Sequence, residues 1–235
     1  MLLNFIGVYL RLIALLDIEV KENMEPFTRL TAVAAPFDTP DIDTDMLIPQ
    51  RFLRKPLTAG YRNFLFLNER FDAAGKEKPD FILNRAPYRD AGIFVTGPNF
   101  GCGSTREGAV YAVTDYGVRA IIAPSFGAFY ASNSYQNGLL PVVLPDATAR
   151  KLREQLHASP GAEITIDLPA QTVIGPDGAE YRFEIEPSRK ERMLEGLDDI
   201  SITERYQDQM AAYESGLDAE MPWLAAGELQ RLVQK

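Results

Sequence analysis

The alternation of apolar runs and polar turns is clearest in the middle of the chain. AGIFVTG (91–97) is a short apolar run and PNFGCGS a glycine-rich turn; STREGAVYAVTDYG has helical periodicity and ends before Gly117, and VRAIIAPS (118–125) is apolar again. Two short apolar runs joined through a helix predict a βαβ unit, and hence a parallel pair of strands. A helix over GAFYASNSYQNG, closed by Gly138, and a strand over LLPVVLP repeat the pattern. A helix over 147–158 follows, capped by Asp146 or Thr148 and ended by Pro160–Gly161. The period then shortens to two. EITIDLP, QTVI and AEYRFEIE alternate around the turn GPDG, which predicts antiparallel strands joined by a hairpin. From Pro187 the pattern is helical in two segments with polar faces. Upstream, from Met24 to the mid-fifties, Pro36, Pro40, Pro49 and Pro56 forbid long helices and leave strands and shaped loops. Residues 60–90 are mixed and aromatic, with a turn at Asp72–Gly75. With no repeat and no linker, the expected organisation is one α/β domain over 24–235. It has a mixed parallel and antiparallel sheet and a helical tail from about 187.

Residues 2–16, LLNFIGVYLRLIALL, are apolar but fit no export signal well: no basic stretch precedes them, Arg11 interrupts them, and no small-x-small site follows. They are also shorter than the roughly 20 residues needed to cross a bilayer. Met24 reads as the natural start, which makes residues 1–23 an N-terminal extension. A docking helix and an export signal are the alternatives.

Composition removes whole classes of function. Twenty-four Lys plus Arg against 33 Asp plus Glu leave a charge of −9, so an acidic chain without a basic block is not expected to bind nucleic acid. One cysteine, Cys102, and one histidine, His157, exclude a disulfide framework and any zinc or iron–sulfur site built from the chain's own Cys and His.

Chemistry concentrates in NFGCGSTRE (99–107). Its glycines let the backbone turn sharply, and a helix starting at Ser104 would present free N–H groups there. Ser104, Thr105 and Arg106 would then lie where an anion is held, the guanidinium fork suiting a carboxylate. Neither a Walker A loop nor a dinucleotide fingerprint fits the spacing. A plain strand-to-helix turn is the alternative. A Cys102–His157 nucleophile pair is not expected; a part-buried thiol and a surface imidazole at a helix end are. The run Asp41-Ile42-Asp43-Thr44-Asp45 has the oxygens for a hard cation, but turn-forming and capping carboxylates are its expected role.

Taken in order from about Met24 to beyond Asp199, DIDTDMLIP, NFGCGSTRE, DYG, IAPSF, NGLLPV and GLDDI resemble the aconitase family. Within it they are most similar to the small subunits of 3-isopropylmalate dehydratase. The resemblance implies a swivelling β/β/α domain. It implies that Ser104 removes the proton beside a substrate carboxylate and that Thr105 and Arg106 bind carboxylate oxygens. Thr44 and Asp45 would line the same site, and QRFLRKPLT with Arg54 would meet the substrate's side group. The substrate implied is a small dicarboxylic hydroxy acid, 2-isopropylmalate going to 3-isopropylmalate by dehydration and rehydration in leucine biosynthesis, in the cytoplasm. The family's [4Fe–4S] cluster is held by three cysteines. With one cysteine this chain would carry no metal, the cluster would sit on a large-subunit partner, and the chain alone would be inactive. Two positions depart from the family pattern: Thr105 where Ser is commoner, and Gly108 where many members have His. A sister hydratase for another substituted malate, or a non-catalytic carboxylate-binding domain, are the rival readings. No membrane partner is expected.

The chemistry has its own logic. Removing and restoring a hydroxyl needs a base for the C–H proton and a Lewis acid for the departing hydroxide. Serine is a poor base unless its oxyanion is stabilised, and a helix start together with Arg106 would supply that field.

Overall fold

Strand β1 (Arg29–Pro36) stands at the centre of a seven-stranded sheet in the computed structural model of the chain, which describes residues 24–220. On one side of it run β2 (Ile93–Val95), β3 (Ala120–Ala123) and β4 (Leu140–Val143), all parallel. On the other run β5 (Glu163–Asp167), β6 (Thr172–Ile174) and β7 (Glu180–Arg182), all antiparallel. The two halves meet within β1 itself. Arg29–Val33 pairs antiparallel with β5, and Ala34–Pro36 pairs parallel with β2.

Burial follows this division. Every residue of β2 and β3 is buried, as covered parallel strands require, whereas β5 alternates buried positions with exposed or half-buried ones. The change of period near residue 162 therefore marks the passage from the parallel to the antiparallel half. The strands are shorter than their apolar runs, because the run ends continue into loops that are also buried.

Between β1 and β2 lie α1 (Thr44–Leu47), α2 (Leu67–Arg70) and several short 3-10 turns. The crossovers are α3 (Gly108–Tyr116), α4 (Ala128–Gln136) and α5 (Asp146–Ala158). Ala149, Leu152, Arg153 and Leu156 form the buried stripe of α5, at the spacing of one helical face. No side chain caps α5. Pro145 precedes it, and Asp146 is its first residue and pairs with Arg150 at 2.6 Å, so the expected cap is absent. Gly117 ends α3 in the left-handed region (φ 112°), and Gly138 (φ 73°) follows the end of α4 as expected.

Helix α6 (Pro187–Glu195) completes the compact unit Glu25–Gly196; Met193 is fully buried and its carbonyl accepts from Phe27 N at 2.8 Å. Beyond Gly196 a second unit begins, in which α7 (Asp199–Glu204) is capped by Asp198 and followed by α8 (Gln207–Glu220). The apolar run over 2–16 lies outside the described residues. Among the described residues no helix is long and apolar enough to cross a membrane.

Candidate active site

Loops leaving the carboxyl ends of β1, β2 and β3 converge, as ligand-binding loops do in open α/β sheets. The β1 loop and the glycine turn are joined by main-chain bonds: Asp41 N to Pro98 O (2.9 Å), Gly101 N to Ile42 O (2.7 Å) and Thr44 N to Cys102 O (2.9 Å). The turn is joined to the β3 loop in the same way, Phe100 N donating to Ser125 O (3.1 Å) and Gly127 N to Phe100 O (2.9 Å).

Glycine is required at two of these positions. A Cβ on Gly101 (φ 72°) would lie 2.2 Å from the ring of the buried Tyr130, and one on Gly127 would lie 2.5 Å from Gly101 O. The turn is therefore packed against backbone and ring on both sides, with no room for side chains.

Ser104 emerges from this turn. Its Oγ accepts from Arg106 Nε at 2.8 Å and from Arg106 N at 3.2 Å, while its own N–H donates to Thr44 Oγ1 at 3.2 Å. A hydroxyl oxygen receiving two N–H groups, one from a guanidinium, sits in a field that favours its anion. Thr44 is buried and Arg106 is exposed. Thr105 is exposed too, and its carbonyl accepts from Asn133 Nδ2 at 3.0 Å, which ties the segment to α4.

One expectation is corrected here. Helix α3 begins at Gly108, not at Ser104. Ser104–Arg106 is a non-helical segment after Gly103 (φ 104°), because its polar groups bond to Thr44, Asn133 and the Ser104 side chain itself. The field at Ser104 Oγ thus comes chiefly from Arg106, since a helix dipole fades within about one turn.

The acidic run serves the backbone. Asp43 Oδ1 caps α1 by accepting from Met46 N at 2.7 Å, and Asp41 Oδ1 accepts from Asn99 Nδ2 at 2.7 Å. Asp45 is exposed in the first turn of α1, one residue from Thr44, and Arg54 is exposed on the segment after Pro49. The structure brings Ser104, Arg106 and Thr44 into direct contact; no hydrogen bond joins Asp45 or Arg54 to that trio. Asn133 and Asn99 were not legible as site residues. Each is a polar residue of ordinary type, and only the fold reveals what its amide reaches.

Cys102 and His157 stay apart in their bonding. Cys102 Sγ contacts Asp41 O at 3.8 Å, and His157 Nε2 bonds Asp38 Oδ2 at 2.7 Å. Burial, then the carboxylates of Asp43 and Asp41, push the Cys102 thiol up, so it is a poor source of thiolate. A cluster held by three thiolates does not fit a chain with one cysteine. Among the described residues no three Cys, His, Asp or Glu side chains gather as a metal site either.

Comparison with known proteins accounts for this architecture. The family model described as the aconitase C-terminal domain matches residues 24–147, and a second, LeuD_N, matches 150–187. The fold and its glycine turn thus define an aconitase-type C-terminal domain. The "3-isopropylmalate dehydratase small subunit" of Parvibaculum lavamentivorans is 45% identical over 201 residues, covering 86% of this chain and all of that one. The protein of the same name from Phenylobacterium zucineum is 47% identical, covering 86% of this chain and 98% of that one. A crystal structure titled 3-isopropylmalate dehydratase (leuD), from Methanocaldococcus jannaschii, shares the fold with a TM-score of 0.57 at 24% identity, over 78% of this chain and 99% of that one. The chain belongs to the family of 3-isopropylmalate dehydratase small subunits.

Proposed function

We propose that this chain is the small subunit of a hydro-lyase that converts 2-isopropylmalate to 3-isopropylmalate by dehydration and rehydration, and that Ser104 is its base. The bond from Arg106 Nε to Ser104 Oγ is the observation that carries the catalytic part. A serine alkoxide is otherwise too high in energy to form near neutrality. A guanidinium 2.8 Å away and a main-chain N–H at 3.2 Å lower that energy before substrate arrives. Ser104 Oγ takes the proton from the carbon beside a substrate carboxylate and returns it on rehydration. Arg106, with its remaining donors, and the Thr105 hydroxyl hold the carboxylate. Thr44 holds Ser104 through its main chain, Asp45 borders the site, and Arg54 faces the side group.

The departing hydroxide requires a Lewis acid, which a [4Fe–4S] cluster on the large-subunit partner would supply when bound. Ser104→Ala in the reconstituted pair is the decisive variant. Turnover should fall about 10²- to 10⁴-fold, the usual worth of a positioned base, with assembly unchanged. Full turnover would leave a non-catalytic carboxylate-binding domain as the better account.

A further inference from the structure

Helix α3 opens on Gly108, whose φ is ordinary and requires no glycine, so its lack of a side chain calls for a steric explanation. A Cβ there would lie 2.6 Å from Leu53 Cδ2, 3.6 Å from Tyr61 Cε1 and 3.9 Å from Leu53 Cγ. Leu53 occupies the place of the missing side chain. It belongs to the segment after Pro49, and three further contacts fasten that segment on the same side. Phe52 stacks on Phe64 at 4.3 Å, Arg51 bonds Asn68 Oδ1 at 3.0 Å, and Tyr61 OH donates to Lys55 O at 2.9 Å. Arg54 is exposed between Leu53, which packs at Gly108, and Lys55, whose carbonyl is held by Tyr61.

We infer that Gly108 is a positioning residue: by admitting Leu53 against the start of α3 it sets where the 50–55 segment stands relative to Ser104–Arg106, and so sets affinity for the substrate. The inference rests on the function proposed above. Gly108 follows Arg106 by two residues, a span of at most about 7 Å of extended chain, so Leu53 clamps the segment to the very stretch that carries the site. The atom met is a terminal methyl of a half-buried side chain, and Tyr61 Cε1 lies 3.6 Å from the same point, so Leu53 must give way there. Helix propensity acts in the opposite sense, because alanine is the better helix former.

The test uses Gly108→Ala, Leu53→Ala and the double variant, each as the full chain and each reconstituted with the cluster-bearing large subunit. Two quantities are read: the rate of limited trypsin cleavage after Arg51 and Arg54, and kcat and KM for 2-isopropylmalate. Gly108→Ala should speed cleavage and raise KM severalfold with kcat unchanged, the signature of lost uniform binding. Leu53→Ala should do the same to a smaller extent. The double variant should match Leu53→Ala rather than add to it, since the residue that clashes is gone. Additive effects, or unchanged cleavage with unchanged KM in Gly108→Ala, overturn the inference, as does faster cleavage with no change in KM. A wild-type pair that ignores 2-isopropylmalate while Gly108→Ala still loosens the segment would defeat the function proposed and leave the clamp intact. Thermal melting of each chain separates these results from simple unfolding.

Discussion

Ser104 and Arg106 are two residues apart and joined side chain to side chain, so the identity of the cation matters as much as its charge. The contact is made by Nε, an atom lysine lacks. Arg106→Lys keeps the positive charge but removes the fork that can hold Ser104 Oγ and a carboxylate together. Turnover should drop about 10²- to 10³-fold, the usual cost of one oxyanion donor, with a far smaller change in melting temperature. Cys102 offers the converse test. Its raised thiol pKa and its position against Asp41 O give it no chemical part, so Cys102→Ser should keep turnover within about twofold of the parent. If alkylation or substitution of Cys102 abolished activity, the assignment of the base would have to be reconsidered. At this scale much was legible: the hydroxyl, the guanidinium and their spacing lie in one short string. Thr44 and Asn133 reach that string from 60 and 28 residues away. Thr44 could be set beside it only through the family resemblance, and Asn133 could not be set there at all.

The elements explain why the string holds its shape. Gly101 lies in the left-handed region with Tyr130 against its Cα, and Gly127 lies against Gly101 O; the β2 and β3 loops therefore interlock through two glycines. Gly101→Ala puts a methyl group into the ring and strains the backbone together, costs that come to about 2–4 kcal/mol. Melting should show a single transition some 5–10 °C lower for a domain of this size, by the usual relation between stability and melting temperature. Apolar periodicity foretold the parallel strands, their crossovers and the change to antiparallel pairing after residue 162. It misjudged the start of α3. The helical pattern runs back to Ser104, but Gly103 and the side-chain bonds to Thr44 and Asn133 hold the segment out of the helix. Residues 60–90 resisted reading for a related reason. Their order comes from a buried polar contact, Asn84 Nδ2 donating to Arg70 O at 2.6 Å and Lys78 O at 2.9 Å, and from Arg70 against the rings of Phe71 and Tyr116. Such contacts have no period. Asn84→Leu would leave Arg70 O and Lys78 O with only their main-chain donors, Lys78 N and Phe81 N, and would deprive Arg70 Nε of its acceptor, at a cost of about 1–3 kcal/mol measurable by urea unfolding.

At the scale of the molecule, the chain presents half of a reaction. It has a candidate base and candidate carboxylate-binding groups on loops at one end of the parallel strands, where Thr105 and Arg106 are exposed. The elimination also needs an acceptor for hydroxide, and one cysteine cannot furnish a three-thiolate cluster. On the function proposed above, the partner would bring a Lewis acid to a substrate held by Arg106, and the surface around Ser104 would be covered in the active assembly. The isolated chain should show no turnover of 2-isopropylmalate at any concentration, while addition of the cluster-bearing large subunit should restore it with a saturable dependence on that subunit. Arg106→Lys and Ser104→Ala chains should compete with the wild-type chain for the same partner, because the role proposed for these side chains is toward the substrate and not toward assembly. Turnover by the isolated chain would contradict the division of labour between the two subunits. Failure of the Ser104→Ala chain to compete would mean that the serine serves assembly, and the base would then have to be sought on the other subunit.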